Sequence, residues 1–107
     1  MASPQDSAAR AAIGWDIDRQ TFGLFVHAHR SEILGVSMRA AATITGISYA
    51  THCRAERAQP ISAGNMLRLC LWIDANPYWF LVDPKTGKRL VNPPEAPVPR
   101  ETPGETR

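Results

Sequence analysis

The chain has 107 residues, 44% of them hydrophobic, and a formal net charge of +2 at pH 7, which together predict one domain with one small core. It has no apolar run near the roughly 20 residues that cross a bilayer, and its first 14 residues lack the basic start and apolar block of a secretory signal. We therefore expect a cytoplasmic protein with no membrane partner.

The N-terminal part of the chain leads into a first helix. Residues 1–14 are small and polar, and we expect them to be flexible. Trp15 is expected to cover an edge of the core. From Thr21, apolar residues and a histidine recur at three- and four-residue spacing, which predicts an amphipathic helix that ends near Ile33 or Leu34. The recurring residues are Phe22, Phe25, Val26 and His29.

The segment at 37–57, SMRAAATITGISYATHCRAER, predicts two short helices joined by a tight turn. The Ser37 hydroxyl can cap a helix that continues to Thr45, and Ser48 can cap the next helix. Gly46 is expected to adopt a left-handed conformation where the chain reverses. Ile47 is then the apolar residue of the turn.

These residues resemble the Cro and phage-repressor class of helix-turn-helix proteins, also called the xenobiotic-response-element family. The resemblance covers roughly Thr21 to Val82. It rests on Arg30, the Gly35-Val36-Ser37 entry, Ala42, the Gly46-Ile47-Ser48 turn, the Arg54 to Arg57 exit and the Asn65 to Leu69 pattern. The sequence departs from the family pattern in three ways. Its spacing from Arg30 to Gly35 is one residue longer, Ala58 replaces a common glycine, and smaller or polar residues replace larger apolar ones at Ala41, Thr45, His52 and Ala55.

The resemblance implies an all-α fold, a compact four- to five-helix bundle of the lambda-repressor-like DNA-binding type, with the domain at 15–82. It also implies a sequence-specific transcriptional regulator, a repressor or mobile-element control protein, that binds double-stranded DNA with the helix at about 48–57 in the major groove. The chain has no glycine-rich phosphate loop and no Ser-His-Asp set with supporting spacing. We therefore expect neither an enzyme nor a cofactor.

The predicted DNA contacts lie on these two helices. Tyr49, Ala50 and Arg54 match the family positions that meet bases, and Arg54 is the best candidate for specificity because a guanidinium can bond guanine O6 and N7 together. The predicted phosphate contacts, which hold the register without reading sequence, are Ser37, Arg39, Ser48, Thr51 and Arg57. The alternative for Arg54 and Arg57 is that they are ordinary solvated helix residues.

The local charge also supports this assignment. From Arg30 to Arg68 the chain has five arginines and two glutamates, a local net charge of +3. The resemblance implies that Arg30 and Glu56 form a partly buried ion pair between the first helix and the end of the recognition helix. His52 is expected to point inward with Ile47 and bond a backbone carbonyl, with a pH or metal role as the alternative.

A third class of function, a metal or redox sensor, would use His27, His29, His52 and Cys53. These residues form no compact ligand cluster in the sequence, so we predict no metal site. Cys53 and Cys70 lie in helical stretches without C-x-x-C spacing and are expected to be reduced.

The fourth predicted helix, opened by Ser62, carries a core stripe at Met66, Leu69, Cys70 and Ile73. More apolar residues lie nearby than one face needs, and they predict a homodimer on a palindromic operator. The interface candidates are Leu71, Trp72, Tyr78, Trp79 and Phe80. Closure of the monomer's own core is the alternative. The alternative function is a protein-interaction module, such as an antitoxin or anti-activator, that uses the aromatic segment 72–82.

The C-terminal part leaves two structures open. Asn76-Pro77 is typical of a cap and first turn of a short fifth helix, whereas residues 78–91 could form a hairpin around Pro84 and Gly87. Six of the nine prolines lie beyond residue 82. We therefore assign 83–107 to a proline-rich tail, disordered from residue 92, in which the order of 83–91 stays open.

Overall fold

The computed structural model describes residues 10–95. This part of the chain is mostly helical. Its α-helices are α1 (Arg19–His27), α2 (Met38–Thr45), α3 (Tyr49–Glu56) and α4 (Ala63–Ile73). A π-helical segment, Ala28–Ile33, extends α1, and short 3-10 helices lie at Ala12–Gly14 and Pro77–Phe80. Two strands, β1 (Asp16–Ile17) and β2 (Leu81–Val82), pair antiparallel.

The small sheet joins the two ends of the domain. The described chain is mostly helical, as predicted, with the addition of these two short strands. Asp16 pairs with Val82 and Ile17 with Leu81. Strands of two residues are too short to show an alternating pattern, so they could not be predicted from the sequence. The prediction that residues 1–14 are flexible is wrong for Ala12–Gly14, which forms a helical turn in which Ala12 is buried. Residues 1–9 lie outside the described residues.

Helix α1 forms because its first turn is capped and its inner face is apolar. The Asp18 carboxylate accepts hydrogen bonds from the Thr21 amide at 3.1 Å and the Thr21 hydroxyl at 2.6 Å. The predicted end near Ile33 is confirmed. The π-helical segment includes Arg30, where the spacing to Gly35 is one residue longer than in the family pattern. A π turn lets a helix hold an extra residue.

The two short helices predicted around Gly46 are present with the expected caps. Ser37 Oγ accepts from the Ala40 amide at 3.0 Å, and Ser48 Oγ accepts from the Thr51 amide at 3.1 Å. Gly46 is left-handed, with φ of 73°, and its amide donates to a carbonyl of α2. Ile47 is 3% exposed, so the turn is anchored in the core.

The end of α3 contains a backbone conformation that is unfavourable for its residue. Ala58 has φ of 61°, in the left-handed region where a Cβ approaches the following carbonyl oxygen. At this position the pattern of the Cro and phage-repressor class commonly has a glycine. The Gln59 amide donates to the Arg54 carbonyl at 2.9 Å, which closes the helix end around Ala58.

The short helix and the hairpin turn predicted as alternatives for the C-terminal part both occur, one after the other along the chain. The Asn76 side chain accepts from the Tyr78 amide at 3.0 Å and caps the Pro77–Phe80 turn. A second turn follows β2, in which the Asp83 amide donates to the Lys88 carbonyl at 2.9 Å. Residues 83–91 therefore belong to the described fold, while residues 96–107 of the predicted tail lie outside the described residues.

An arginine of this second turn fastens it to the domain. The Arg89 guanidinium donates to the Trp79 carbonyl at 2.8 Å and pairs with the Asp18 carboxylate. Because Asp18 caps α1, the Arg89 side chain connects the C-terminal turn to the start of the first helix. The ordered unit thus extends beyond residue 82.

The core lies between α1, α3, α4 and the Pro77–Phe80 turn. Its buried side chains are Phe22, Phe25, Val26, Ile47, Ala55, Leu69, Cys70 and Phe80. The Phe80 ring packs edge-on against Phe22 and Phe25, with centroids 5.3 and 5.5 Å away. Phe80 is fully buried, so it is a core residue of the monomer and not the dimer contact that was predicted.

Candidate functional site

The outer face of α3 carries the residues predicted to read bases. Tyr49 is 44% exposed, and Ala50 and Arg54 are also exposed. Ala50 and Arg54 are one helical turn apart and share a face. The residues predicted to point inward, His52 and Ala55, are buried. The structure therefore brings the three predicted base-reading side chains to one accessible surface.

The charge on this surface is positive. Arg39 on α2, Arg54 on α3 and Arg57 just after α3 are exposed, and none of them pairs with a carboxylate among residues 10–95. Glu56 is the sole acid between residues 37 and 73. Its side chain is 8% exposed, so the charges of the α2–α3 unit that face solvent are all cationic.

Glu56 is held inward, as predicted, by an ion pair with Arg30, which lies in the π-helical segment that extends α1. Arg30 Nε lies 2.5 Å from Glu56 Oε2, and Arg30 Nη2 donates to Oε1 at 3.0 Å. Arg30 also donates to the Val36 carbonyl at 2.8 Å, and His27 Nδ1 lies 2.9 Å from Glu56 Oε1. Burial alone would raise the pKa of Glu56, but the hydrogen bonds from Arg30 and His27 outweigh it and the pKa is lowered.

Arg39 and Tyr49 are in direct contact across the turn. The Arg39 guanidinium carbon lies 4.7 Å from the centroid of the Tyr49 ring, which is a cation–π distance. The two side chains were predicted to have separate roles, and this contact was not expected from the sequence. The sequence feature that indicates such a contact is an arginine and an aromatic residue in the first turns of two helices that pack together.

His52 forms the inner side of the turn. It is fully buried, and its Nε2 lies 2.8 Å from Thr45 Oγ1. The Thr45 hydroxyl donates to the Ala41 carbonyl at 2.8 Å, so we assign the proton of this contact to Nε2 of His52. The predicted backbone carbonyl partner is therefore wrong, because the threonine hydroxyl takes that place. His52 Nδ1 is buried and has no hydrogen-bond partner among residues 10–95, and burial lowers the pKa of the ring.

Two predicted phosphate contacts have other roles. Thr51 is 8% exposed and its hydroxyl accepts from Ser48 Oγ at 2.9 Å. Ser48 Oγ also accepts from the Thr51 amide. The Thr51 side chain is therefore not available to a phosphate, which corrects that prediction, and the Ser48 hydroxyl is engaged in the helix cap.

The other predicted dimer residues divide into two groups. Trp72 packs edge-on against the rings of His29 and His52, with centroids 4.7 and 5.6 Å away, and Trp79 lies 5.8 Å from Phe25. These tryptophans cover the monomer's core. Leu71 and Tyr78 are 83% and 59% exposed, so they remain the accessible members of the predicted set.

A shallow apolar groove of about 260 Å³ lies beside Tyr78. It runs between α4 and the Pro77–Phe80 turn, and none of the charged residues in the described part of the chain lines it. The lining residues are Ile17, Ala63, Met66, Leu67, Pro77, Tyr78 and Leu81. Leu67 and Leu71 are one turn apart on α4 and both exposed, so they extend the apolar surface along the helix.

The residues proposed for a metal or redox sensor do not come together. Within residues 10–95, no three His, Cys, Asp or Glu side chains lie close enough to hold a metal ion. Cys53 and Cys70 are free thiols, and burial raises the pKa of Cys70 to about 11. The Cys70 thiol is therefore protonated at neutral pH and is a poor nucleophile.

The comparisons with known proteins add no relative. Neither the protein-family models, nor the curated proteins, nor the solved structures contain a match to the chain. The resemblance to the Cro and phage-repressor class therefore stays a prediction from the residues. No helix of residues 10–95 combines the length and the apolar character needed to span a bilayer.

Proposed function

We propose that the protein is a sequence-specific transcriptional regulator that binds double-stranded DNA, with α3 as a recognition helix in the major groove. The observation that supports this proposal is the α2–α3 unit. Two serine-capped helices meet at a left-handed glycine, and their outer face carries arginines that pair with no carboxylate of residues 10–95. A helix-turn-helix needs such a face to approach the duplex.

The exposed side chains suggest a division of roles. Arg54 reads a guanine through paired hydrogen bonds, and Ala50 contacts the adjoining base edge or a thymine methyl group. Arg39 and Arg57 contact phosphates and set the register, together with the exposed cap Ser37. Ser48 and Thr51 serve the fold by capping α3.

The Arg30–Glu56 ion pair supports the proposal in a second way. Glu56 lies in the last turn of α3, beside Arg57 in the sequence. An exposed carboxylate there would repel a phosphate and offset one of the arginines. Because Arg30 and His27 hold Glu56 inward, that repulsion is reduced and α3 is fastened to α1.

One domain of this size buries little surface on DNA, so tight specific binding favours a dimer on a palindromic operator. We propose that the dimer contact uses the exposed residues Leu67, Leu71 and Tyr78, which replace the buried part of the predicted interface. The same groove also favours the second candidate function, a protein-interaction module such as an antitoxin or anti-activator. The two functions differ in whether the protein alone selects DNA.

The test is a selection of bound duplexes from a random pool with the full chain. We expect a palindromic sequence with half-site centres roughly 10 base pairs apart. On that duplex, Arg54→Ala should cost about 1 to 3 kcal/mol and relax preference at one position, while Arg57→Ala should weaken all duplexes alike and reduce the salt slope by about one unit.

Lys85→Ala is the matched control, since it removes an exposed cation outside the α2–α3 unit. It should leave both affinity and salt slope unchanged. Recovery of no preferred duplex would refute the proposal and leave the protein-interaction module. Equal, sequence-blind losses for Arg54→Ala and Arg57→Ala would remove Arg54 from the specificity residues.

A further inference from the structure

The Arg39–Tyr49 contact joins the beginnings of the two helices that the proposed function places on DNA. Arg39 is in the first turn of α2, and Tyr49 is the first residue of α3. Both side chains are exposed, and the guanidinium carbon lies 4.7 Å from the ring centroid. The contact therefore lies on the accessible surface of the α2–α3 unit.

The position of Arg39 does not favour the stability of its own helix. The first turn of a helix carries the positive end of its dipole, where a cation is mildly unfavourable. No carboxylate of residues 10–95 pairs with Arg39 to offset this effect. The aromatic ring is thus the partner that the structure gives to this charge.

Stacking also leaves the hydrogen-bonding groups of Arg39 available. A cation–π contact uses the flat face of the guanidinium, whereas its N–H donors lie along the edge of the plane. A guanidinium held in this way loses less rotamer freedom when it binds a phosphate. The ring therefore fixes the direction of Arg39 without occupying its donors.

We infer that Tyr49 is a positioning residue, whose ring holds Arg39 in the orientation that bonds a DNA phosphate. The ring face carries this role and the Tyr49 hydroxyl does not. The inference rests on the proposed function and refines it, because Tyr49 then contributes to affinity through Arg39 and reads no base itself.

The test is a double-mutant cycle on the selected duplex, measured with the full chain by fluorescence anisotropy across a salt series. Tyr49→Phe keeps the ring and should retain wild-type affinity. Tyr49→Ala should weaken binding roughly two- to fivefold, the range of an exposed cation–π contact. Arg39→Ala should weaken all duplexes alike and reduce the salt slope by about one unit. In the Arg39→Ala background, Tyr49→Ala should cause no further loss.

A repeated selection with Tyr49→Ala separates positioning from base reading, and we expect it to return the wild-type operator. Melting temperatures of all variants check that the fold is intact. A changed operator would show that Tyr49 reads a base, and equal losses for Tyr49→Phe and Tyr49→Ala would show that the hydroxyl acts. Additive losses in the cycle would also overturn the inference. If the wild-type chain selects no duplex, the proposed function fails first and the inference fails with it.

Discussion

Helices α1 and α3 approach each other closely at Gly23, and this contact gives a prediction with a clear sign. A Cβ built on Gly23 would lie 2.8 Å from the Ala55 carbonyl oxygen and 3.3 Å from that of Glu56. Both obstacles are backbone atoms of α3, so no flexible side chain can move aside. Gly23→Ala must therefore separate the two helices or distort one of them.

The magnitude follows from two opposing effects. Overpacking costs about 1 to 3 kcal/mol, and a Cβ 2.8 Å from a backbone oxygen falls in the upper part of that range, about 2 to 3 kcal/mol. Alanine is better than glycine inside a helix by about 1 kcal/mol, which offsets part of this cost. We expect Gly23→Ala to lower the free energy of unfolding by about 1 to 2 kcal/mol, and the melting temperature by roughly 4 to 16 °C for a domain of this size.

Gly64→Ala in α4 is the matched control. A Cβ at Gly64 meets nothing within 4 Å, so the helix-propensity gain acts alone. It should stabilise the protein by up to about 1 kcal/mol. Urea denaturation followed by circular dichroism measures both variants. If Gly23→Ala were as stable as the wild type, or if both variants shifted in one direction by similar amounts, the close approach of α1 and α3 would be wrong.

Four further predictions concern stability. Ala58→Gly should stabilise the fold by about 1 kcal/mol in urea denaturation, because the left-handed backbone at Ala58 costs a residue with a Cβ about that much; a loss would contradict the strain. Phe80→Ala should cost about 3 to 5 kcal/mol in the same assay, whereas a small cost would return Phe80 to the surface. Burial lowers the pKa of His52 below 6.5, so the unfolded state binds the proton more readily. Stability should therefore fall as the pH drops below about 6.5. His52→Gln should flatten that pH dependence without abolishing it, since the pKa of His29 is also lowered. An unchanged pH profile in the variant would show that His52 is not a source of the dependence. Truncation after Val91 should keep the melting temperature, while truncation after Val82 should lower it by removing the Arg89 contacts, worth about 1.5 to 3 kcal/mol; equal effects would show that the Arg89 contacts do not stabilise the fold.

The features that could be predicted from sequence are those decided within three or four residues. The caps of Ser37 and Ser48 each bond an amide three positions later, so the residue type and its place before a helix were sufficient. Gly46 is similar, because a left-handed residue at a reversal favours glycine. These three residues fix the limits of α2 and the start of α3.

The features that sequence reasoning missed depend on residues distant in the chain. The strand pairing joins Asp16 to Val82, and two-residue strands carry no periodic signal. The close approach of Gly23 to α3 cannot be read from a single glycine in a helical stretch. The aromatic run did not reveal which ring faces inward, because the Pro77–Phe80 turn decides that Phe80 is buried and Tyr78 is exposed.

The polar residues of α3 differ in where they find partners, and this difference is the strongest structural argument for an external anion. Those that face inward bond within the protein: Thr51 with Ser48, His52 with Thr45, and Glu56 with Arg30. The charged residues that face outward on or beside the same helix are Arg54 and Arg57, and neither pairs with a carboxylate of residues 10–95.

A single solvated arginine costs little and indicates nothing, but Arg39, Arg54 and Arg57 lie on one two-helix unit whose sole acid is turned inward. Salt screens the field of these arginines beyond about 8 to 10 Å, so the field acts on a ligand that contacts this face. A polyanion with phosphates along both sides of a groove can engage all three arginines at once, whereas a lone small anion can engage one or two. The arrangement therefore supports the proposal that a duplex, and not a small ligand, is the partner of this surface.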